Sequence, residues 1–68
     1  MELQSAIRYA KKYARRLNAP VVVYSFKDKP DDFNYFSAHF FRANFSNRWQ
    51  YEDRKIYLIE VNGEVKPI

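Results

Sequence analysis

Residues 3–26 read LQSAIRYAKKYARRLNAPVVVYSF, and this stretch decides the fold. Its first part repeats apolar side chains at three- and four-residue steps, which predicts an amphipathic helix over residues 2–17. Asn18 suits the left-handed conformation that ends a helix, and Pro20 forbids continuation. The β-branched and aromatic run that follows predicts a strand over residues 21–26. The apolar positions of the helix are Leu3, Ala6, Ile7, Ala10, Ala14 and Leu17.

The C-terminal part of the chain predicts a β-hairpin. Residues 56–61 read IYLIEV, a run of β-branched and aromatic side chains that is typical of a strand. Asn62 and Gly63 follow, and this pair signals a two-residue type I′ turn, in which both positions require a positive φ. Residues 64–66 then predict a short edge strand, which Pro67 closes.

Two connections are predicted from polar, turn-forming sequence. Residues 27–32 read KDKPDD, a polar turn with a central proline. Residues 44–54 are polar and turn-like, and they carry Trp49 and Tyr51 either as anchors or as a brief strand. Both segments therefore separate more regular parts of the chain.

Residues 33–45, between these connections, support two interpretations. Their length and their phenylalanine and tyrosine content favour a second strand, which would form a hairpin with the first. A helix is the alternative, because Pro30 and two aspartates resemble a helix start and four phenylalanines share a helical face. We favour the strand. The residues of the helical alternative are Asp31, Asp32, Phe33, Phe36, Phe40 and Phe41.

Together these segments predict an α+β fold in one small domain, residues 1–68. The economical assembly is a single N-terminal amphipathic helix packed on a three- or four-stranded antiparallel sheet, in the order αβββ(β). The sequence leaves open which face of the sheet packs on the helix.

The predicted strands carry apolar side chains on both faces. A sheet with one hydrated face would alternate apolar and polar residues, so we expect the second face to be covered as well. The candidate covers are a loop around Trp49, a partner, and a second copy of the chain, and we favour self-association through this face. In the first strand, Val21 and Val23 lie on one face and Val22, Tyr24 and Phe26 on the other; in the strand at 56–61, Ile56 and Leu58 oppose Tyr57, Ile59 and Val61.

The net charge of +4 belongs to the predicted helix. Residues 1–16 carry five basic side chains and one acidic side chain, whereas the rest of the chain carries seven of each. On a helical projection the basic residues centre opposite the apolar stripe, and two tyrosines lie on the flank between them. The basic residues are Arg8, Lys11, Lys12, Arg15 and Arg16, and the tyrosines are Tyr9 and Tyr13.

These basic residues form either an ordinary solvated helix face or a docking surface. Solvated faces usually interleave both signs of charge, but here like-charge pairs lie at three- and four-residue spacing, and each costs about 0.2–0.5 kcal/mol in an isolated helix. This cost favours a docking surface for an anionic partner. The leading partner is an acidic protein surface, with the two tyrosines as flanking anchors. Nucleic acid is the alternative, through phosphate contacts by the cations and base stacking on exposed aromatics.

The residue types exclude most catalytic and cofactor sites. The chain has no cysteine, one histidine and one glycine, so we expect no thiolate or histidine-cluster metal site, no phosphate-binding glycine loop and no nucleophile elbow. His39 is expected to be a half-buried packing residue. Asp28, Asp31 and Asp32 match no calcium loop and predict a plain turn. We therefore expect no catalytic residue, no metal, no cofactor and no enzymatic activity.

The sequence predicts a soluble, cytoplasmic protein. The N-terminal apolar residues are spaced and interrupted by charges, unlike those of a signal peptide. No apolar run approaches the length of about 18–20 residues that crosses a bilayer, so no membrane contact is expected. The lack of cysteine fits a reducing compartment.

Residues 6–12 (AIRYAKK), followed by residues 19–24 (APVVVY), have a layout that resembles small proteins of phages and other mobile elements. Those proteins begin with an amphipathic helix rich in alanine and lysine, pass through a proline into a valine-rich strand, and continue as a short antiparallel sheet. The likeness covers residues 3–26 and is generic. It implies an accessory protein that acts by binding, such as an inhibitor or modulator of a host protein, and it transfers no site residue. The aromatic segment 33–45 departs from this layout.

Overall fold

The structure is a computed structural model that describes residues 1–26, 28–44 and 55–67. Its elements are α1 (Leu3–Leu17), β1 (Val21–Phe26), β2 (Lys29–Ser37), α2 (Ala38–Asn44), β3 (Ile56–Ile59) and β4 (Val65–Pro67). The strands form one antiparallel sheet in the order β2-β1-β3-β4. The predicted α+β class, with an N-terminal helix on an antiparallel sheet, is confirmed. The predicted element order αβββ(β) did not include the second helix, α2, which lies between β2 and β3 in the chain.

The helix α1 ends where the sequence predicts. The residue that follows it, Asn18, is left-handed, with φ of 54° and ψ of 41°. The Asn18 N–H donates to the Arg15 carbonyl at 3.3 Å. The Ala19 N–H donates to the Ala14 carbonyl at 3.2 Å, so carbonyl groups of the last turn keep partners. The chain then passes through Pro20 into β1.

One face of the sheet packs on α1 through small side chains. Ala6, Ala10 and Ala14 are fully buried, which lets the helix lie close to the strands. Leu17, at the end of the predicted apolar stripe, is 40% exposed. Val21 and Val23 of β1 belong to the same core as these alanines, so the face of the sheet that carries them is the one that packs on the helix. The buried residues of this core are Ala6, Ala10, Ala14, Val21, Val23, Phe33 and Ile59.

The second face of the sheet carries a separate core. Val22 and Tyr24 of β1 and Ile56 of β3 pack with Ala38 and Phe41 of α2. The predicted alternation of side chains between the two faces is confirmed within β1 and β3, but β3 ends at Ile59, so Val61 lies in the loop after the strand and not in the predicted strand. In the described part of the chain the cover of this face is α2, an element that was not among the three predicted covers.

The strand interpretation of residues 33–45 is correct only up to Ser37, and the rest of the described segment is helical. Ser37 caps α2, because its Oγ accepts a hydrogen bond from the Phe40 N–H at 3.1 Å. The Ala38 N–H donates to the Pro20 carbonyl at 3.0 Å, which ties the start of α2 to the start of β1. The helical alternative was therefore right for the second half of the segment and wrong about where the helix begins.

The predicted type I′ turn between β3 and β4 is wrong. The Gly63 N–H donates to the Glu60 carbonyl, and the Glu60 N–H donates to the Glu64 carbonyl, both at 2.9 Å. Gly63 has a φ of 91°, whereas Asn62 does not have a positive φ. The connection is thus a three-residue loop that ends in a left-handed glycine.

The turn between β1 and β2 is shorter than predicted. The strand β2 begins at Lys29, so Pro30 lies within an edge strand, where a missing N–H is tolerated. Phe26 pairs with Lys29, whereas its neighbour Ser25 pairs with Phe33, so β2 carries extra residues at this point.

Local hydrogen bonds close the outer edge of β2. The Phe33 N–H donates to the Met1 carbonyl at 2.7 Å, and the Met1 amino group donates to the Phe33 carbonyl at 3.0 Å. The Tyr35 N–H donates to the Asn34 side-chain oxygen at 2.8 Å. The Met1 amino group also donates to Asp32, and this bond lowers the pKa of the Asp32 carboxyl. An edge of this kind offers few free backbone groups to another strand.

The predicted connection over residues 44–54, with Trp49 and Tyr51, lies outside the described residues apart from Asn44, which ends α2. The last strand, β4, is shifted by one residue from the predicted 64–66.

Candidate docking surface on the first helix

The structure places the five predicted cations on the side of α1 that does not enter the core. The fully buried alanines lie on the opposite side, so the helix separates charge from apolar surface as its periodicity predicts. Lys11 is half-buried, and the other four side chains are exposed. We call this set the basic face; its members are Arg8, Lys11, Lys12, Arg15 and Arg16.

The basic face has no ion-pair partner among the residues that the structure describes. Across 1–26, 28–44 and 55–67, the ion pairs join the Met1 amino group to Asp32, and Lys66 to Glu60 and Glu64. None of these involves α1. Within the described residues, no carboxylate therefore lies within ion-pair distance of the face.

Two aromatic rings beside the basic face already have partners. Tyr13 is half-buried and packs edge-to-face on Tyr35 of β2, with 5.7 Å between ring centres. Tyr9, one helical turn earlier, is 46% exposed. The Arg8 guanidinium carbon lies over the Tyr9 ring, 5.7 Å from its centre, which is a cation–π contact.

An open groove runs where α1 meets β2. Its volume is about 260 Å³, and none of its lining side chains is a carboxylate. We call it the tyrosine groove; it is lined by Tyr9, Lys12, Tyr13, Arg16 and Tyr35. The ammonium, guanidinium and phenol groups of this set can all donate hydrogen bonds, so the groove is chemically suited to an anion.

The groove divides the basic face into two parts. Lys12 and Arg16 are one helical turn apart and line the groove, whereas Arg8, Lys11 and Arg15 do not. The sequence brought all five together as one helix face, and it contained no signal for this division.

Tyr35 was missed as a candidate site residue. It pairs with Val23, whose side chain packs toward α1, so Tyr35 lies on the same face of the sheet. The alternation of β2 would reveal this once the strand register were known. The irregular pairing beside Phe26 makes that register hard to read from the sequence.

Other candidate chemistry does not assemble in the described residues. His39 is exposed on α2, which corrects the expectation of a half-buried packing residue. Among the described side chains, no group of three or more histidines and carboxylates is placed to hold a metal ion. No helix in the described ranges has both the length and the apolarity to cross a membrane.

No protein-family model matches this chain, and neither does any curated protein or solved structure with which it was compared.

Proposed function

We propose that the chain is a small non-enzymatic binding protein whose first helix engages an acidic surface of a protein partner. The observation that carries this proposal is the basic face, five cations on one side of α1 without an ion-pair partner among the described residues. Concentrating like charges lowers helix stability, and an acidic partner would relieve that cost on binding. In this role the protein would act as an accessory protein that inhibits or modulates a larger one.

An acidic protein surface is a better match to the geometry than nucleic acid. A single-stranded nucleic acid would need exposed rings near the cations, on which its bases could stack. Among the described aromatics, Tyr9 is the one exposed ring beside the cations, at 46%, and the Arg8 guanidinium already lies over it. Phe26 and Phe40 are exposed at 39% and 43%, but they pack around Tyr24 and Phe36 on the far side of the sheet from α1. One bound strand could not contact these two phenylalanines and the basic face along a single surface.

The test is a titration at low salt with three fluorescent probes. They are a glutamate-rich peptide, a mixed-sequence DNA duplex and a single-stranded RNA. The peptide should bind, and the double variant Lys11→Glu/Arg15→Glu should weaken its binding markedly, because it reverses two of the five charges. The matched control is Lys29→Glu/Lys55→Glu, which makes the same change in net charge at exposed positions outside α1 and should retain binding.

Two results would overturn the proposal: a peptide that fails to bind, and a peptide that binds both double variants alike. If the peptide fails to bind while the RNA binds, or while the DNA binds with a log–log salt slope of about −4.5, the value for five phosphate contacts, the partner is nucleic acid.

A further inference from the structure

We propose that the tyrosine groove is the specificity pocket of this surface and that it takes a single aspartate or glutamate side chain from an acidic segment of the protein partner. This inference rests on the proposed function and deepens it. The groove would supply directed hydrogen bonds to one carboxylate, while the remaining cations would attract the partner through their field.

The charge of the groove fits a carboxylate. Lys12 and Arg16 border it from adjacent turns of α1, and both are exposed. Neither forms an ion pair with a described residue, so both are available to an incoming anion. The planar fork of a guanidinium can hold a carboxylate through two parallel hydrogen bonds, which adds geometric selection to the attraction of charge.

Two of the three tyrosines that line the groove offer little stacking surface for a base. Tyr13 and Tyr35 are half-buried and pack on each other at 62° between ring planes. Tyr9 is 46% exposed, and the Arg8 guanidinium lies over its ring. The rings therefore serve as walls with phenol donors at their tips, which suits an acidic side chain better than a nucleobase.

The size of the groove is sufficient for one side chain. Its volume is about 260 Å³, and the groove is open to solvent. An open site of this size on the edge of a helix can admit one side chain of a longer segment. The rest of that segment would lie along the basic face.

Two arginine variants distinguish direct binding in the groove from attraction by the surrounding charges. Arg16→Gln removes a charge that lines the groove, whereas Arg15→Gln removes an exposed charge of the basic face that does not line it. The probes are an alternating glutamate–serine peptide and the same peptide with glutamine in place of glutamate. The aromatic NMR signals of Tyr13 and Tyr35 report on occupancy of the groove.

We expect Arg16→Gln to weaken binding of the glutamate peptide about tenfold, because it removes a charge-assisted hydrogen bond. Arg15→Gln should weaken it about twofold, as for a solvated charge. The tyrosine signals should shift with the glutamate peptide in the wild type and in Arg15→Gln, and not with the glutamine peptide.

If the two variants weaken peptide binding equally and the tyrosine signals do not shift, the groove is not the carboxylate site, and the proposed function stays intact. A glutamate peptide that does not bind the wild type at all would overturn both. A single-stranded oligonucleotide that shifts the tyrosine signals more than the glutamate peptide would overturn the carboxylate as the occupant.

Discussion

Three alanines set the distance between α1 and the sheet. Ala6, Ala10 and Ala14 have no exposed surface, and a larger side chain at any of them would meet β1 or its neighbours. Close packing of this kind makes the position of the helix, and so of the basic face, depend on single methyl groups. The position of the basic face thus depends on residues from the opposite side of the same helix.

Ala10→Leu should destabilise the protein by about 1–3 kcal/mol, because it overpacks the interface between α1 and the sheet. Urea denaturation followed by circular dichroism measures the change. Ala43→Leu is the matched control, since Ala43 is an exposed helical alanine on α2 and its replacement should change stability by less than about 0.5 kcal/mol. Equal effects at the two positions would contradict the close packing of α1.

Ser37 decides where strand β2 becomes helix α2. Its Oγ accepts the Phe40 N–H, so Ser37→Ala should destabilise the protein by about 0.5–2 kcal/mol. Ser5→Ala, in α1, is the control, because Ser5 makes no hydrogen bond to a described side chain or backbone group through its hydroxyl. If the two variants proved equally stable in urea, the capping role of Ser37 would be wrong.

At the level of the element, α1 combines a well-packed inner side with a self-repelling outer side. Lys12 lies three or four residues from Arg8, Arg15 and Arg16, so it takes part in three like-charge pairs. A helix optimised only for stability would place a carboxylate at this position. The arrangement is what a binding role for the basic face would require.

Lys12→Glu should therefore stabilise the unbound protein, by about 1 kcal/mol at low salt, because it turns three repulsive pairs into attractive ones. The gain should shrink at high salt, where exposed charges are screened. Lys55→Glu is the control for net charge, since Lys55 is exposed outside α1. The absence of any gain over this control would contradict the cost assigned to the basic face.

The elements differ in how well the sequence predicted them. The helix α1 and strand β1 carry strong local signals: helical periodicity, a left-handed Asn18, Pro20 and a valine run. The helix α2 does not, because its phenylalanines suit strand and helix alike, and its start depends on one serine and on a backbone bond to Pro20.

The candidate site could likewise be predicted from the sequence only in part. The five cations of the basic face could be grouped from the sequence, since a helix places them by spacing alone. The tyrosine groove could not, because Tyr35 reaches it through the pairing of β2 with β1. That register passes through an irregularity at Ser25 and Phe26, and such shifts leave little trace in the sequence.

For the whole molecule, we expect self-association through the aromatic surface that α2 leaves exposed on the second face of the sheet, among the described residues. The outer edge of β2 is closed by Met1 and Asn34, and β4 has only three residues, the last of them Pro67. Few free backbone groups are therefore available at the two edges of the sheet for pairing with another strand. Self-association through the second face stays a prediction, with Phe26 and Phe40 as its exposed rings.

If two copies pair through this face, Phe40→Ser should lower the sedimentation coefficient at micromolar concentration toward that of a monomer. Tyr9→Ser removes a similarly exposed ring on α1 and should leave the coefficient unchanged. A wild-type protein that sediments as an 8.3 kDa monomer would rule out the dimer.

The proposed binding role of α1 is tested most directly by mapping the backbone amide NMR shifts of the isotope-labelled chain during titration with the glutamate–serine peptide. We expect the largest shifts in residues 8–16 and at Tyr35, and much smaller ones with the glutamine peptide. Shifts centred on Phe26, Phe36 and Phe40, or shifts of equal size with both peptides, would contradict an acidic partner on the basic face.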